Sequence, residues 1–288
     1  MMRYNKGYVL VIVLLILAVT TAAVVDFARI VYVYVNTANN FTESERLSLL
    51  LRSAYVFAVE RARDLTSHFI NDQREITFEE KIEDTKIGLL VEDNNSKFKV
   101  NLLGVINPVK SGTNYNIFKK LLQELRISED YAGKLADFID SDKNPTVPGG
   151  ENKAKNYSLF SLSELSYIFP EDDLKTVMPY LTVFGDGKIN INTAELPLLK
   201  ALHKDMTETL AKRIIEVREG KPFESTVDVT NVPGMKTIGV AISDVIKYKS
   251  DSFNVIIKAE RNDLVETAEA GFVLSESGVA TTKYWRER

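Results

Sequence analysis

A run of eighteen uncharged, mostly apolar residues near the start of the chain constrains the fold more than any other feature. It extends from Tyr8 to Val25. As a helix it would be about 27 Å long, enough to cross most of the hydrocarbon core of a bilayer. Arg3 and Lys6 precede it and Asp26 follows it, so the positive-inside bias places the short leader in the cytoplasm and the bulk of the chain outside. The run predicts a single transmembrane segment over residues 8–25.

Three interpretations of this segment compete. It is a cleaved secretory signal peptide, a plain anchor with a stalk, or a helix that is cut from a leader and retained. "TTAAVVDFA" imitates a small-residue cleavage site, but a signal peptide would have a shorter apolar core. The residues that follow favour retention, because no proline occurs before Pro108 and the sequence stays helix-friendly.

An amphipathic stripe continues the helix over residues 26–70. Its apolar residues recur at three- and four-residue steps, as on one face of a helix, with charged residues between them. We therefore expect one helix of roughly 60 residues, about 90 Å long, with a possible kink at 36–40. The stripe consists of Leu47, Leu50, Leu51, Ala54, Tyr55, Ala58, Ala62, Leu65 and Phe69.

The remaining chain predicts an α+β fold. "KIGLLVEDNNSKFKVNLLGV" indicates two strands around a turn at 93–95, and "SFNVIIKAER" and "VETAEAGFVLSES" indicate two more around 261–263. Strands at both ends around one helical block predict a small antiparallel sheet, formed by 71–106 and 250–288, with an α-helical domain inserted at 107–249. The candidate helices are 115–126, 129–140, 161–169, 171–182, 194–203, 207–219 and 238–248.

Composition narrows the function. The formal net charge is −4 and there are no cysteines, which disfavours a general nucleic-acid binder and excludes disulfides, thiol nucleophiles and cysteine zinc sites. His68 and His203 are the only histidines, so a multi-histidine metal centre is not expected. No serine nucleophile motif or phosphate loop is present, and acidic residues such as Asp172 are typical of helix N-termini. We expect no enzymatic activity.

An acidic loop, "DFIDSDKNPTVPGGE", has the oxygen spacing of an EF-hand. With Asp140 at position 1, Asp142, Asn144 and Glu151 fall at positions 3, 5 and 12. Pro145 stands where an EF-hand needs glycine, and no clear helix follows Glu151. The residues alone leave two interpretations, a cage of hard oxygen ligands and a solvated acidic turn.

A second motif resembles the helix-hairpin-helix modules of DNA-binding competence proteins. In "NINTAELPLLKALHKDMTETLAKRIIEVREG", Asn192 and Thr193 are expected to cap a helix with Pro197 in its first turn, and a second helix follows from 207. Phosphate-binding hairpins use glycines so that backbone N–H groups reach the phosphate. The hairpin "HKDMTE" has none and carries Asp205 and Glu208. We expect a protein-binding or structural bundle.

The N-terminus resembles the class III signal of type IV pilins and type II secretion pseudopilins. A basic leader ending in Lys6-Gly7 precedes an apolar helix that becomes amphipathic. The resemblance implies that a prepilin peptidase cuts after Gly7, leaving residues 1–7 as the leader, and that Tyr8 is then methylated. It also implies a Glu at the fifth mature position, but Ile12 stands there. A carboxylate inside a bilayer needs a partner, so its absence suggests that the partner is absent too.

Together with the helical insertion in the sheet, Ile12 makes the chain resemble the K-type minor pseudopilins of type II secretion, the GspK family. "NLLGVIN", "DFIDSDKNPTVPGGE", "KININTAELPLLKAL" and "SFNVIIKAE" occur in the order of comparable segments of that family. The resemblance implies a pilin-like fold whose inserted helical domain is SAM-like or helix-hairpin-helix-like. It also implies structural calcium in the helical domain, for which the candidate ligands here are Asp137, Asp140, Asp142, Asn144 and Glu151.

The same resemblance implies a place in the cell and a set of partners. We expect an inner-membrane protein with a cytoplasmic N-terminus and a periplasmic bulk. It would assemble with the I- and J-type minor pseudopilins and the major pseudopilin, cap the pseudopilus and help to initiate it, so that folded proteins can be exported. The alternatives are a membrane-anchored helix-hairpin-helix protein of DNA uptake and a generic anchored periplasmic domain.

Overall fold

A helix of 60 residues, α1 (Lys6–Leu65), dominates the computed structural model, which describes residues 6–65, 75–105, 108–152 and 154–287. The helix continues through residues 36–40, the position of the predicted kink. Thr37 and Thr42 donate their hydroxyls to the carbonyls of Val33 and Ala38, at 2.8 and 3.0 Å, so these polar side chains are satisfied within the helix. The predicted extension to residue 70, with Phe69, lies outside the described residues.

Nine strands and seven further helices follow α1 in the described residues. The strands are β1 (Glu75–Ile82), β2 (Thr85–Asp93), β3 (Phe98–Lys99), β4 (Leu181–Thr182), β5 (Ile189–Asn190), β6 (Ile246–Lys247), β7 (Ser252–Arg261), β8 (Leu264–Leu274) and β9 (Ala280–Glu287). The helices are α2 (Pro108–Glu124), α3 (Asp130–Ile139), α4 (Glu171–Val177), α5 (Leu196–Ala201), α6 (Glu208–Gly220), α7 (Thr226–Asn231) and α8 (Lys236–Ala241).

The main sheet has five antiparallel strands in the order β1-β2-β7-β8-β9. Its two edge strands were not predicted. In β1 the apolar side chains of Ile76 and Phe78 alternate with Glu75, Thr77 and Glu79, and this charged pattern is typical of an edge strand that is protected from pairing with other chains. The strands come from both ends of the globular part, with the helical block between them, so the predicted α+β fold is confirmed.

One face of the sheet packs against the second half of α1. Leu47, Leu51, Ala58 and Ala62 of the predicted stripe are fully buried. They form one core with inward-facing side chains of β2, β7 and β8, and Tyr55 adds edge-on ring contacts to Phe272 and Trp285 at 6.1 and 5.4 Å. The stripe therefore attaches the long helix to its own sheet. The core residues from the sheet are Ile87, Leu89, Val91, Phe253, Val255, Ile257, Ala259, Ala268, Phe272 and Leu274.

The prediction of a second strand of the same hairpin after the turn at 93–95 was wrong. Only Phe98 and Lys99 are extended, and they pair with β4 in parallel rather than with β2. A 3-10 turn at Asn94–Ser96 leads the chain out of the sheet. Phe98, Val100 and Leu103 then pack in the core of the helical block. The core of the helical block therefore includes side chains from residues before position 107.

Several helix bounds also differ from the prediction. Helix α4 ends at Val177 because Pro179 follows in a 3-10 turn. The segment predicted as a helix over 238–248 is helical only to Ala241, and Ile246 and Lys247 pair with β5 instead. Helix α7 was missed, although Ser225 and Asp228 form a capping box at its start.

Candidate functional site

Three carboxylates converge where helix α3 ends. Asp137 lies in the last turn of α3, Asp140 follows its end, and Glu151 returns from the far side of the loop. Each offers an oxygen, and these oxygens all lie within 4.8 Å of one another. The structure therefore brings together the first and the last residue of the EF-hand-like spacing and adds one residue from the preceding helix.

Asp137 shapes the loop from inside. Its side chain is fully buried, and its two oxygens accept hydrogen bonds from the N–H groups of Thr146 and Val147, at 2.7 and 3.1 Å. Gly150 lies directly against this carboxylate, since a Cβ there would lie 1.7 Å from Oδ2 of Asp137. The loop thus closes over Asp137 only because residue 150 has no side chain.

Asp140 and Glu151 each keep one oxygen without a hydrogen-bond partner. Oδ1 of Asp140 and Oε1 of Glu151 are buried, and no donor reaches them among the described residues. The pKa of Asp140 is raised to about 6, first by burial and then by the negative charges of Asp142, Glu151 and Asp137. Leaving such groups unpaired is costly, and hard oxygen donors that repel each other are the ligand set a divalent cation such as Ca²⁺ relieves.

The two middle residues of the predicted ligand set lie differently. Oδ1 of Asp142 accepts a hydrogen bond from the backbone N–H of Asn144 at 2.7 Å, and Asn144 is exposed. Asp142 is outside the group of three converging carboxylates. Of the residues described after the loop, none is helical before the 3-10 turn at Leu162–Tyr167. The arrangement is therefore a helix-and-loop site that differs from an EF-hand.

The predicted processing residues lie in the first turns of α1. The helix includes Lys6 and Gly7, whereas residues 1–5 are not described. Tyr8 and Ile12 are 69% and 40% exposed, so both face the surroundings of the helix. Helix α1 is the one helix in the described part of the chain that is long and apolar enough to cross a membrane. This supports a membrane-anchored, single-pass chain.

The second half of α1 carries a further apolar surface on the side away from the sheet. Phe41, Leu49 and Val56 are 65–67% exposed. They are seven or eight residues apart, which returns each to nearly the same side of a helix, opposite the buried Leu47 and Leu51. We call these three residues the outer seam. The sequence pattern was interpreted only for the inner stripe, because charged residues interrupt the outer one.

The helix-hairpin-helix look-alike is built differently from the prediction. Asn192 and Thr193 cap no helix, since α5 begins at Leu196 with Glu195 before it. Thr207 does cap α6, where its hydroxyl accepts the N–H of Leu210 at 3.2 Å. The hairpin between α5 and α6 faces α2, so its polar backbone is turned toward the protein itself.

Asn192 and Thr193 belong instead to a buried polar cluster between sheet and helical block. Asp93, at the end of β2, is fully buried. Its Oδ2 accepts the hydroxyls of Thr193 and Ser250, both at 2.6 Å, and its Oδ1 accepts the N–H of Asn95 at 2.7 Å. The sequence did not predict this cluster, because isolated Asp, Asn and Ser residues are typical of turns and do not indicate burial.

Comparison with known proteins supports the K-type resemblance at two levels. The family model described as "Type II secretion system (T2SS), protein K" matches residues 189–247, from β5 to β6. Curated protein sequences give no match. One solved structure with this fold is the GspK-GspI-GspJ complex of the type 2 secretion system of enterotoxigenic Escherichia coli. The TM-score is 0.70 and the identity 16%, over 87% of this chain and 99% of that one. This chain therefore shares its fold with a solved structure of a GspK-GspI-GspJ complex, and its segment 189–247 matches the protein K family model.

Proposed function

We propose that the chain is an assembly subunit of a type II secretion pseudopilus. It is anchored in the inner membrane by α1, with its sheet and helical block in the periplasm, and it joins the I- and J-type minor pseudopilins at the tip. The observation that carries the proposal is the two-sided α1. Its inner stripe is buried against its own sheet, whereas the outer seam leaves apolar side chains available to neighbouring helices. The comparison complex contains GspI and GspJ together with GspK.

The tip position rests on Ile12. In a stack of pilin-like helices, a carboxylate at this depth would need a positively charged partner from a neighbouring subunit. Ile12 has no charge to neutralise, and the bulky helical block is compatible with a subunit that ends the filament. The role of the subunit is then to initiate and cap the pseudopilus that exports folded proteins, and it needs no catalytic residues.

The DNA-uptake alternative lacks support in the structure of the hairpin. A phosphate cradle needs backbone N–H groups that face the solvent. Here the carbonyls of the hairpin accept a lysine ammonium from α2. Asp205 and Glu208 add negative charge beside it. Retardation of duplex DNA at low salt by the purified chain would reverse this assignment.

Processing after Gly7 is tested by the substitution Gly7→Ala. We expect that the chain, co-expressed with a prepilin peptidase, then keeps its leader, whereas the wild-type chain loses residues 1–7 and begins at a methylated Tyr8. Intact-mass measurement distinguishes the two products. Asn5→Ala, in the same leader, is the control and should be processed normally. Normal maturation of Gly7→Ala would count against the pseudopilin assignment.

We also propose that the acidic loop binds calcium. Asp137, Asp140 and Glu151 would hold the ion, and Asp142 and Asn144 would complete or shape the site. Support comes from the two buried oxygens without partners and from the raised pKa of Asp140. The ion would neutralise the carboxylates and rigidify the loop; it would take part in no reaction.

Calcium should raise the melting temperature of the full chain relative to chelator. With calcium at about one hundred times its dissociation constant, the gain is about 2.7 kcal/mol, which corresponds to about 5–10 °C for a domain of this size. Glu151→Gln should abolish most of the shift, because it removes a charge from the site. Asp244→Asn, an exposed position in the same helical block, should leave it unchanged. Equal melting temperatures in calcium and chelator would rule out the site.

A further inference from the structure

The apolar surface of α1 continues beyond the uncharged run of residues 8–25. Beyond Asp26, seven apolar or aromatic side chains lie within nine residues, and each is between 42% and 74% exposed. Soluble surfaces rarely carry so much contiguous apolar area without an occupant. We call these seven residues the interfacial belt; they are Phe27, Ile30, Val31, Tyr32, Val33, Tyr34 and Val35.

The belt surrounds the helix on all sides. Tyr32 and Tyr34 are two residues apart, which places their side chains about 200° apart around the helix axis. Val33 and Val35 lie on the two sides between them. A single partner helix covers one side of α1, as the outer seam would require, whereas a helix that is apolar all round is typical of a membrane environment. The belt therefore fits lipid better than it fits one docked helix.

The length of the apolar stretch matches a whole bilayer. Residues 8–25 span about 27 Å, most of the hydrocarbon core, whereas residues 8–35 span about 42 Å, the thickness of a bilayer with both headgroup layers. The belt then lies at the depth of the outer headgroups. Tyrosine is enriched at this depth because its ring is apolar and its hydroxyl is polar. The long stem of Arg29 allows its guanidinium to extend outward to the lipid phosphates.

The residues after the belt mark the aqueous side. Five of the seven residues at 36–42 are asparagine or threonine. Directly after them α1 meets its own sheet, where Glu43 accepts a hydrogen bond from Arg261 and Ser44 donates one to Glu266, both at 2.7 Å. These seven residues correspond to about 10 Å of helix between the belt and the sheet.

We propose that the interfacial belt inserts into the outer headgroup layer of the membrane. Helix α1 then contacts lipid from Tyr8 to Val35 and holds the near end of the sheet about 10 Å above the bilayer surface. The occupant is phospholipid on every side of the helix, in continuity with the transmembrane segment. This proposal rests on the membrane anchoring proposed above. It assigns residues 27–35 to lipid and leaves the outer seam to partner helices.

The test measures the depth of single nitroxide labels on the full chain in vesicles of phosphatidylethanolamine and phosphatidylglycerol. The chain has no cysteine, so one introduced thiol carries the only label. Tyr32→Cys and Tyr34→Cys report on the belt, Leu15→Cys on the membrane core and Thr42→Cys on the aqueous side. All four positions are exposed on α1, so the labels disturb no core. Collision with oxygen, which dissolves in lipid, and with a water-soluble nickel chelate gives each depth.

We expect the labels at 32 and 34 to be equally protected from the chelate, and the label at 34 to lie about 12 Å deeper than the label at 42. Equal access of the chelate to 34 and 42, with the label at 15 protected, would overturn the belt and leave the anchor intact. Protection at only one of the two tyrosine positions would also overturn the belt, since it indicates a one-sided protein contact. Access of the chelate to the label at 15 would overturn the anchor and the belt together.

Discussion

The double substitution Leu49→Glu and Val56→Glu should reduce capture of the proposed partners, the I- and J-type minor pseudopilins, at least a hundredfold. Both side chains are about two-thirds exposed in the isolated chain and contribute to the outer seam. If partner helices cover them, each contributes about 1.5–3 kcal/mol of apolar burial, and a buried unpaired carboxylate adds a further cost. Since 1.4 kcal/mol is tenfold in affinity, two such losses exceed a hundredfold. Co-purification with tagged partners after co-expression measures the effect.

The control separates lost assembly from lost folding. Asn40→Glu introduces the same charge on the opposite side of α1 and should leave capture intact. The double variant should also keep the melting temperature of the wild type, because both side chains are about two-thirds exposed in the isolated chain. Undiminished capture by the double variant would contradict the assignment of the seam. A lowered melting temperature would show instead that these residues belong to the core.

Asp93→Ala should lower the free energy of unfolding by about 3–5 kcal/mol, because it leaves buried donors without an acceptor. It removes the acceptor of two buried hydroxyls, Thr193 and Ser250, and of one buried N–H. Each orphaned donor costs about 1–3 kcal/mol. The cluster also joins β2 to the turn before α5 and to the segment before β7, so the sheet and the helical block should loosen together. Denaturant unfolding in detergent measures the change.

Glu92→Gln is the matched control for this prediction. Glu92 is the neighbouring residue on β2, but its side chain is on the other face, where it pairs with Lys97 at 3.1 Å. We expect a smaller loss than for Asp93→Ala, because glutamine keeps a side-chain oxygen that can accept from Lys97 or from Nδ2 of Asn254. An Asp93→Ala chain as stable as Glu92→Gln would show that the cluster is a passive consequence of the fold.

The carboxyl group of Asp93 should also make the free energy of unfolding depend on pH. Burial raises the pKa of Asp93, against the hydrogen bonds from Ser250, Thr193, Asn95 and Ser96, which lower it. A carboxyl whose folded pKa is above its unfolded value takes up a proton on folding, so its contribution to stability falls as the pH rises between the two values. The free energy of unfolding of the wild type, measured relative to that of Asp93→Asn, should therefore increase on acidification. A decrease in this difference at low pH would show that the carboxylate form is preferred in the folded state.

Much of the fold was predictable because it depends on local patterns. The apolar run at 8–25 and the stripe from Leu47 to Ala62 predicted α1, since a helix repeats every 3.6 residues whatever it packs against. The strands β7 and β8 followed from their alternation and the turn between them. The two edge strands were not predicted from the sequence. Strand β1 carries the charged side chains that are typical of a protected edge, and the apolar and polar residues of β9 do not alternate regularly.

The candidate metal site was predictable in part for the same reason. Asp140 and Glu151 were selected by spacing along the loop, and the structure brings both to one place. Asp137 entered only through the resemblance, since it lies on the preceding helix outside the EF-hand-like count. The spacing did not reveal that Asp142 turns to the N–H of Asn144, because a side chain can satisfy a neighbouring backbone group as readily as an ion.

The sequence by itself therefore determined the membrane anchor, the long helix, the α+β class and the pseudopilin resemblance, all of which rest on periodicity, charge order and short motifs. The tertiary structure alone decided which side of α1 is covered and which is free. It also placed Asp93 with Thr193 and Ser250, and Lys120 with the hairpin 203–206. The physical reason is that burial and hydrogen-bond partners belong to pairs of residues about 80 to 160 positions apart, which no local pattern records.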